Sequence, residues 1–325
     1  MKILVLRFSS IGDIVLTTPV IRCLAQQFPD AEIHFATKKK FSFLFEANPY
    51  LSEIHALEDD YQEFTKRIAD QKFDYIVDLH NNLRTLRLRF KVCGKWSSFN
   101  KLNVRKWLYT RFKIQCMPQV HVVDRYFEAC AHLGVNYDGK GLDYFIPESA
   151  SLPEALETQL PESFAAFVIG GTWATKKLPP SKISEWIAQI QLPVVLLGGS
   201  EDIAAASEIK GAFLNTCGGL SLHQSALVLQ KAKLVFTHDT GLMHIAAALN
   251  RNIVSIWGNT TTQLGMWPLM PKDSNALNLT SEVPNLSCRP CSKIGYNSCP
   301  KGHFKCMNLQ NFENIAENLS GYLSE

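Results

Sequence analysis

An apolar run of strand length, a short turn and a helical stretch recur along this chain on both sides of one segment that has neither pattern. Strand-like runs at 2–8, 32–37 and 73–80 alternate with helical stretches at 13–27, 83–92, 104–112 and 122–133. The segment 147–162 is rich in Pro, Glu and Ser and reads as a linker. Alternation then restarts, with strands at 165–170, 193–197, 213–216, 234–237 and 252–257 and helices at 181–191, 200–210, 221–231 and 241–249. Strands that alternate with helices pair in parallel, because each helix carries the chain back over the sheet. The 325 residues suit two domains of about 150 each. The expected fold is α/β, of two Rossmann-like domains facing across a cleft. Their expected limits are 1–150, a linker at 151–163 and 164–308. An amphipathic helix at 309–325 is expected to pack back on the first domain.

No apolar run approaches the roughly 20 residues of a membrane span. The opening MKILVLRFSSIGD passes from a short apolar run straight into a turn, which suits a first strand better than a signal peptide. A cytoplasmic protein is expected. Charge is unevenly placed. Between 79 and 123 there is no acid, yet ten of the 33 Lys and Arg fall there, Arg84, Arg87, Lys101 and Arg105 among them. So one-signed a block implies an anionic partner: nucleic acid, acidic lipid headgroups or a phosphorylated glycan. Trp96, Phe99, Trp107, Tyr109 and Phe112 are interleaved with it, as core residues or as a platform for a ligand.

The strand-to-helix turns carry the chemistry. In THDTGLMHIAAAL, at 237–249, Asp239, Thr240 and Gly241 stand where a buried strand opens into an Ala-rich helix, and His244 follows one turn later. Ligands of open α/β sheets bind outside the carboxyl ends of the strands, and a helix start offers free N–H groups to a phosphate. Capping alone would use Asp239 or Thr240 but has no need of His244. The first turn, FSSIGD, holds one glycine and not the three of a dinucleotide fingerprint. It places Asp13 at a helix start, where it caps the helix or, as an ionised carboxylate, takes a proton from a bound hydroxyl. Ser10 and Gly12 flank it. GGTWATKKLP, at 170–179, brings Thr172, Lys176 and Lys177 to another strand end, suited to a diphosphate. GGSED, at 198–202, offers Glu201 and Asp202 to sugar hydroxyls. Four late cysteines, Cys288, Cys291, Cys299 and Cys306, are spaced as a structural zinc site or as a reduced, Pro-rich loop.

Taken in order, KILVLRFSSIGDIVLTTPVIRCL, KKLP after the Gly-Gly-Thr loop, HDTGLMHIAAAL and the late CRPC…CPKGHFKC segment resemble the heptosyltransferases of lipopolysaccharide synthesis, glycosyltransferase family 9. The resemblance covers nearly the whole chain. It implies a GT-B fold and an inverting sugar transfer that uses no metal or other cofactor. It implies Asp13 as general base and Lys176, or Lys177, as ligand of the diphosphate. Asp239, Thr240, Gly241 and His244 would hold the nucleotide sugar, with Glu201 or Asp202 as the acidic donor residue. Leu178 stands where the family commonly has Trp.

The expected function is transfer of a heptose or related sugar from ADP-heptose to a lipopolysaccharide core or similar anionic glycolipid. Ser10, Gly12, Arg84, Arg87, Lys101 and Arg105 are expected on the acceptor, near the inner membrane surface. The alternatives are another nucleotide sugar, a sugar-nucleotide epimerase of GT-B-like fold, or a non-enzymatic nucleic-acid binder. The last leaves the 237–249 turn without a use, so no nucleic-acid partner is expected.

Overall fold

The computed structural model describes residues 1–323, with side chains placed through Leu319. The chain forms two compact units. The first comprises Met1–Leu102, Val120–Pro147 and Pro271–Asp273. Its five strands are β1 (Lys2–Leu6), β2 (Glu32–Lys38), β3 (Glu53–Leu57), β4 (Tyr75–Asp78) and β5 (Lys95–Ser98), all parallel, in the order β3-β2-β1-β4-β5. Residues 3–6 of β1 are wholly buried, as a central strand covered on both faces must be. The edge strands β3 and β5 are only partly buried. Having one neighbour each, they need no continuous apolar run, and EIHAL and KWSS show none.

The helix expected over 13–27 is two helices, Ile11–Val15 and Thr18–Gln27. Pro19 lies in the first turn of the second, where its missing N–H costs nothing. The Thr17 and Thr18 hydroxyls turn back to the carbonyls of Ile14 and Val15, at 2.7 and 2.8 Å. The break leaves Asp13 on a helix of one turn.

The second unit comprises Asn103–Gln119, Glu148–Met270 and the chain from Ser274 onward. The expected first domain, 1–150, therefore lacks 103–119, which groups with the second unit. Its strands are β6 (Ala165–Val168), β7 (Val194–Leu197), β8 (Phe213–Asn215), β9 (Leu234–His238), β10 (Ile253–Trp257) and β11 (Asn278–Glu282), in the order β11-β10-β9-β6-β7-β8. All pair in parallel. In both sheets the strand order reverses beside the strand that comes first in sequence. Those points are β1/β4 and β6/β9, where the chains leaving neighbouring strands diverge and open a crevice.

Phe167, Trp186, Phe236 and Phe312 centre the second core, with Trp186 and Phe312 ring to ring at 5.5 Å. Phe312, just before the C-terminal helix Glu313–Leu323, and Ile315 and Leu319 on it, spaced three and four apart, face this core. The apolar stripe of this helix, expected to face the first domain, is used in the second core. Residues 324–325 of that expected helix lie outside the described residues. Among the described residues no helix is long and apolar enough to cross a membrane.

Candidate active site

In the first unit the chain leaves β1 as Arg7-Phe8-Ser9-Ser10 and turns into the helix bearing Asp13. Arg7 was not foreseen. Its guanidinium pairs with Asp13 at 2.6 Å, with side-chain exposures of 10% and 25%. It also donates to the Leu79 carbonyl past the end of β4, to the Tyr126 hydroxyl at 3.2 Å and to the Ser9 carbonyl at 2.9 Å. The other Asp13 oxygen accepts from the Ser10 N–H and hydroxyl at 3.1 and 2.8 Å. Burial alone would raise the Asp13 pKa, but the Arg7 charge and the Ser10 hydrogen bonds outweigh it and hold the carboxyl at about 2. The ionisation expected from the helix start is therefore owed chiefly to Arg7. An arginine closing an apolar strand was the only sequence signal for it.

Around this pair stand residues from the end of β4. Asp78 accepts from the N–H groups of His80 and Asn81 at 2.9 and 2.7 Å. Burial pushes the His80 pKa down to about 3, and the charges of Arg7 and Lys101 act in the same direction, so His80 is a neutral imidazole. Arg84 lies over the Phe8 ring at 5.7 Å, while Arg87 is exposed on the helix Leu83–Arg89 that Asn82 caps. Gly12 is buried and Ser10 is spent on Asp13. Arg105 is exposed on the helix Asn103–Phe112, which belongs to the second unit.

In the second unit two strand ends meet at the β6/β9 switch point. From β6 come Gly170, Gly171 and the loop to Lys176 and Lys177; from β9 come Asp239 and the helix Gly241–Ala248. The Lys176 ammonium pairs with Asp239 at 2.6 Å. Asp239 also accepts from the hydroxyl of Thr260, past the end of β10, at 2.9 Å. Lys177 instead holds Asp202 at 3.0 Å. The two lysines thus have separate partners. Asp202 is 1% exposed and takes the Gly199 N–H at 3.0 Å, which leaves Glu201 as the exposed acid of that turn.

Thr240 is the extended N-cap of the helix, with φ −140°. Its buried hydroxyl has no hydrogen-bond partner among the described residues. Gly171 lets it approach, since a Cβ there would sit 3.3 Å from the Thr240 methyl. Thr172 is exposed, whereas His244 is packed into the helix interior at 1% exposure. His238 is also buried. Its Nε2 accepts the Leu178 N–H at 3.0 Å, and burial pushes its pKa down to about 4, so it anchors the Lys176 loop as a neutral ring. His238, Thr260 and Arg7 are the site residues sequence reasoning missed.

The tight contact under this loop makes a test. A Cβ on Gly170 would lie 2.6 Å from the Asp202 carboxylate, which two hydrogen bonds hold in place. Gly170→Ala should cost about 1–3 kcal/mol in urea unfolding. A variant as stable as the parent would mean that Asp202 is free to move.

The four late cysteines carry free thiols. Burial first, and then neighbouring thiols of the group, raise the pKa values of Cys291 and Cys306, to about 11 and about 12. Among the described residues, His34, Glu53 and His55, on β2 and β3, bring three ligand atoms within 4.8 Å of one another.

The family model for glycosyltransferase family 9 (heptosyltransferase) matches residues 61–294. The lipopolysaccharide heptosyltransferase 1 of Pseudomonas aeruginosa is 24% identical over 90% of this chain and 86% of its own. The lipopolysaccharide heptosyltransferase 2 of Escherichia coli is 24% identical over 79% and 83%. A solved family 9 glycosyltransferase from Veillonella parvula superposes with a TM-score of 0.74, covering 98% and 96% of the two chains at 19% identity. The E. coli heptosyltransferase WaaC, solved with ADP, gives 0.65, covering 86% and 93% at 21% identity. The two parallel sheets are those of a GT-B enzyme, and with the family model spanning most of its length the chain belongs to glycosyltransferase family 9, the heptosyltransferase family.

Proposed function

We propose that this glycosyltransferase moves a heptose from ADP-heptose to a lipopolysaccharide core or similar anionic glycolipid, with inversion at the anomeric carbon. The observation that carries the donor side is the switch point at β6/β9. There a lysine, a hydroxyl without a partner and the start of a helix of 8 residues converge. Free N–H groups and a cation suit a diphosphate, whose charge grows as the sugar leaves. ADP occupies the solved WaaC of E. coli, and ADP-2-deoxy-2-fluoro heptose a second structure of it.

In this reading Asp13 accepts the proton of the attacking hydroxyl while Arg7 and Ser10 fix the carboxylate. Lys176 and the Thr240–Gly241 helix start take up the charge of the departing diphosphate. Attack from the face opposite the leaving group inverts the anomeric centre. The test is incubation with ADP-heptose and a heptose-free core glycolipid, with the product anomer read by NMR. Retained configuration sinks the inverting step. Conversion of the donor alone would mean an epimerase, and a thermal-shift response to UDP- or GDP-sugars but not to ADP-heptose would mean another donor.

The acceptor side is assigned to Arg84, Arg87, Lys101 and Arg105, and to contact with an anionic membrane surface. Eight of the thirteen exposed large apolar side chains among the described residues lie between 83 and 120. Val104, Trp107 and Phe112, at 71, 56 and 55% exposure, share one helix with Arg105 and Arg111. Apolar groups set among arginines suit a headgroup boundary. The enzyme should co-sediment with vesicles containing phosphatidylglycerol, more weakly as salt rises. Trp107→Ala with Phe112→Ala should weaken binding at every salt concentration. Binding equal to that on neutral vesicles would remove the membrane assignment.

A further inference from the structure

The late cysteine-rich segment is stitched to the loops that hold Lys176. Its centre is Arg289, 6% exposed in its side chain. The guanidinium donates to four backbone carbonyls: Gly258; Trp257, at 3.1 Å; Thr260, at 2.8 Å; and Val283, at 3.0 Å. Glu282 balances its charge at 3.4 Å. Three of those carbonyls lie at the last residue of β10 and in the turn that leaves it, and that turn presents the Thr260 hydroxyl to Asp239.

The same segment then returns to the other side of the pair. Cys291 N–H donates to the Asn259 carbonyl at 3.0 Å. Tyr296 exchanges hydrogen bonds with Thr175, next to Lys176: its N–H donates to the Thr175 hydroxyl at 2.8 Å, and its carbonyl accepts from the Thr175 N–H and hydroxyl, both at 3.1 Å. Gly295 packs where any Cβ would strike Trp173, and Gly258 where a Cβ would lie 2.7 Å from the Thr175 carbonyl. Both loops are therefore gripped by one stretch of nine residues, 288–296.

We infer that Arg289 is a positioning residue for the leaving-group cation. Its planar fork ties down the turn after β10, so that Thr260 aims Asp239 and Asp239 aims Lys176, while Tyr296 clamps the Lys176 loop from the other end. Only an arginine suits this. Its five donors lie in one rigid plane and reach carbonyls on two sides, whereas a lysine has three donors on one atom. The inference rests on Lys176 meeting the diphosphate, so its test includes a readout that needs no donor.

The full chain should be compared with Arg289→Lys, Thr260→Val and their combination. Lys176 position is read by its acylation rate with acetic anhydride, followed by peptide mass spectrometry. An ammonium released from its carboxylate is more open to the reagent and should react faster than in the parent, where it is 15% exposed. Lys177, held by Asp202, is the internal control and should not change. Turnover of ADP-heptose should fall about 100-fold in Arg289→Lys, as for a misplaced catalytic group, with the acceptor KM unchanged. The double variant should be no worse than Arg289→Lys alone, because both changes cut one chain of contacts.

Unchanged Lys176 acylation in folded Arg289→Lys overturns the inference, whatever happens to thermal stability. So do effects of the two changes that multiply. Should Arg289→Lys not fold, Thr260→Val removes one hydroxyl and tests the last link alone; normal acylation there also overturns it. A parent enzyme that transfers no heptose refutes the proposed function but leaves the labelling result to decide the role of Arg289.

Discussion

Asp13→Asn should lower heptosyl turnover by about 10³-fold, within the range that loss of a positioned proton acceptor costs, while ADP binding is retained. Asp13 is a weak base held in place. With its pKa held at about 2 by Arg7 and Ser10, the carboxylate is ionised at every working pH but has little appetite for a proton from a neutral alcohol. It serves by orienting the hydroxyl and taking the proton late, once bonding to the anomeric carbon has made that hydroxyl acidic. The pH profile of kcat should accordingly show no acid limb from Asp13 above pH 4. Arg7→Met should raise the Asp13 pKa and bring that limb into view.

The same ion pair contributes stability. The folded pKa, about 2, lies below the ordinary carboxyl value of 3.8, so the contribution is fully present above pH 3.8 and is lost as pH falls through 2. Its size is about 2 kcal/mol, at about 1.4 kcal/mol per unit. Asp13→Asn should therefore be less stable than the parent at pH 7, and the gap should close towards pH 2. Turnover has to be compared well below both unfolding temperatures. An Asp13→Asn enzyme within threefold of the parent would remove the base assignment outright.

How much of this was legible beforehand follows from where the constraint lies. The central strands β1, β4, β6, β7, β9 and β10 are apolar because both faces are covered, and each is visible as a run. The edges β3, β5 and β11 are half-exposed and carry mixed residues such as NLTSE, so nothing in their pattern separates them from loops. The turns bearing Asp13, Lys176 and Asp239 could be found because strand, turn and helix are contiguous in sequence. Their partners could not. Thr260 reaches Asp239 only because β9 and β10 lie side by side, and Arg289 reaches the same place from a segment without periodicity. Lys176 and Lys177 are neighbours in sequence and indistinguishable there; the parallel pairing of β6 with β7 and β9 sends one to Asp202 and the other to Asp239.

With separate partners, the two lysines should respond differently to removal. Lys176→Ala should reduce kcat by about 10²–10³-fold, the usual cost of removing one group that stabilises developing charge. Lys177→Ala should act mainly on stability, because it strips the cation from an Asp202 carboxylate that is 1% exposed. Nucleotide binding separates the two further. If Lys176 meets the β-phosphate, the parent should bind ADP much more tightly than AMP, and Lys176→Ala should bind both alike. Lys177→Ala should keep the preference. Asp239 is 10% exposed and would be left with the Thr260 hydroxyl alone in Lys176→Ala, so a fall in Tm is expected there as well. Asp239→Asn with Lys176→Ala should recover that stability without recovering turnover, since a neutral pair leaves no buried charge but still offers the diphosphate no cation. An unchanged ADP-over-AMP preference in Lys176→Ala would shift the leaving-group role to the helix start at Thr240 and Gly241. In that case the Lys176–Asp239 pair would be a structural clasp.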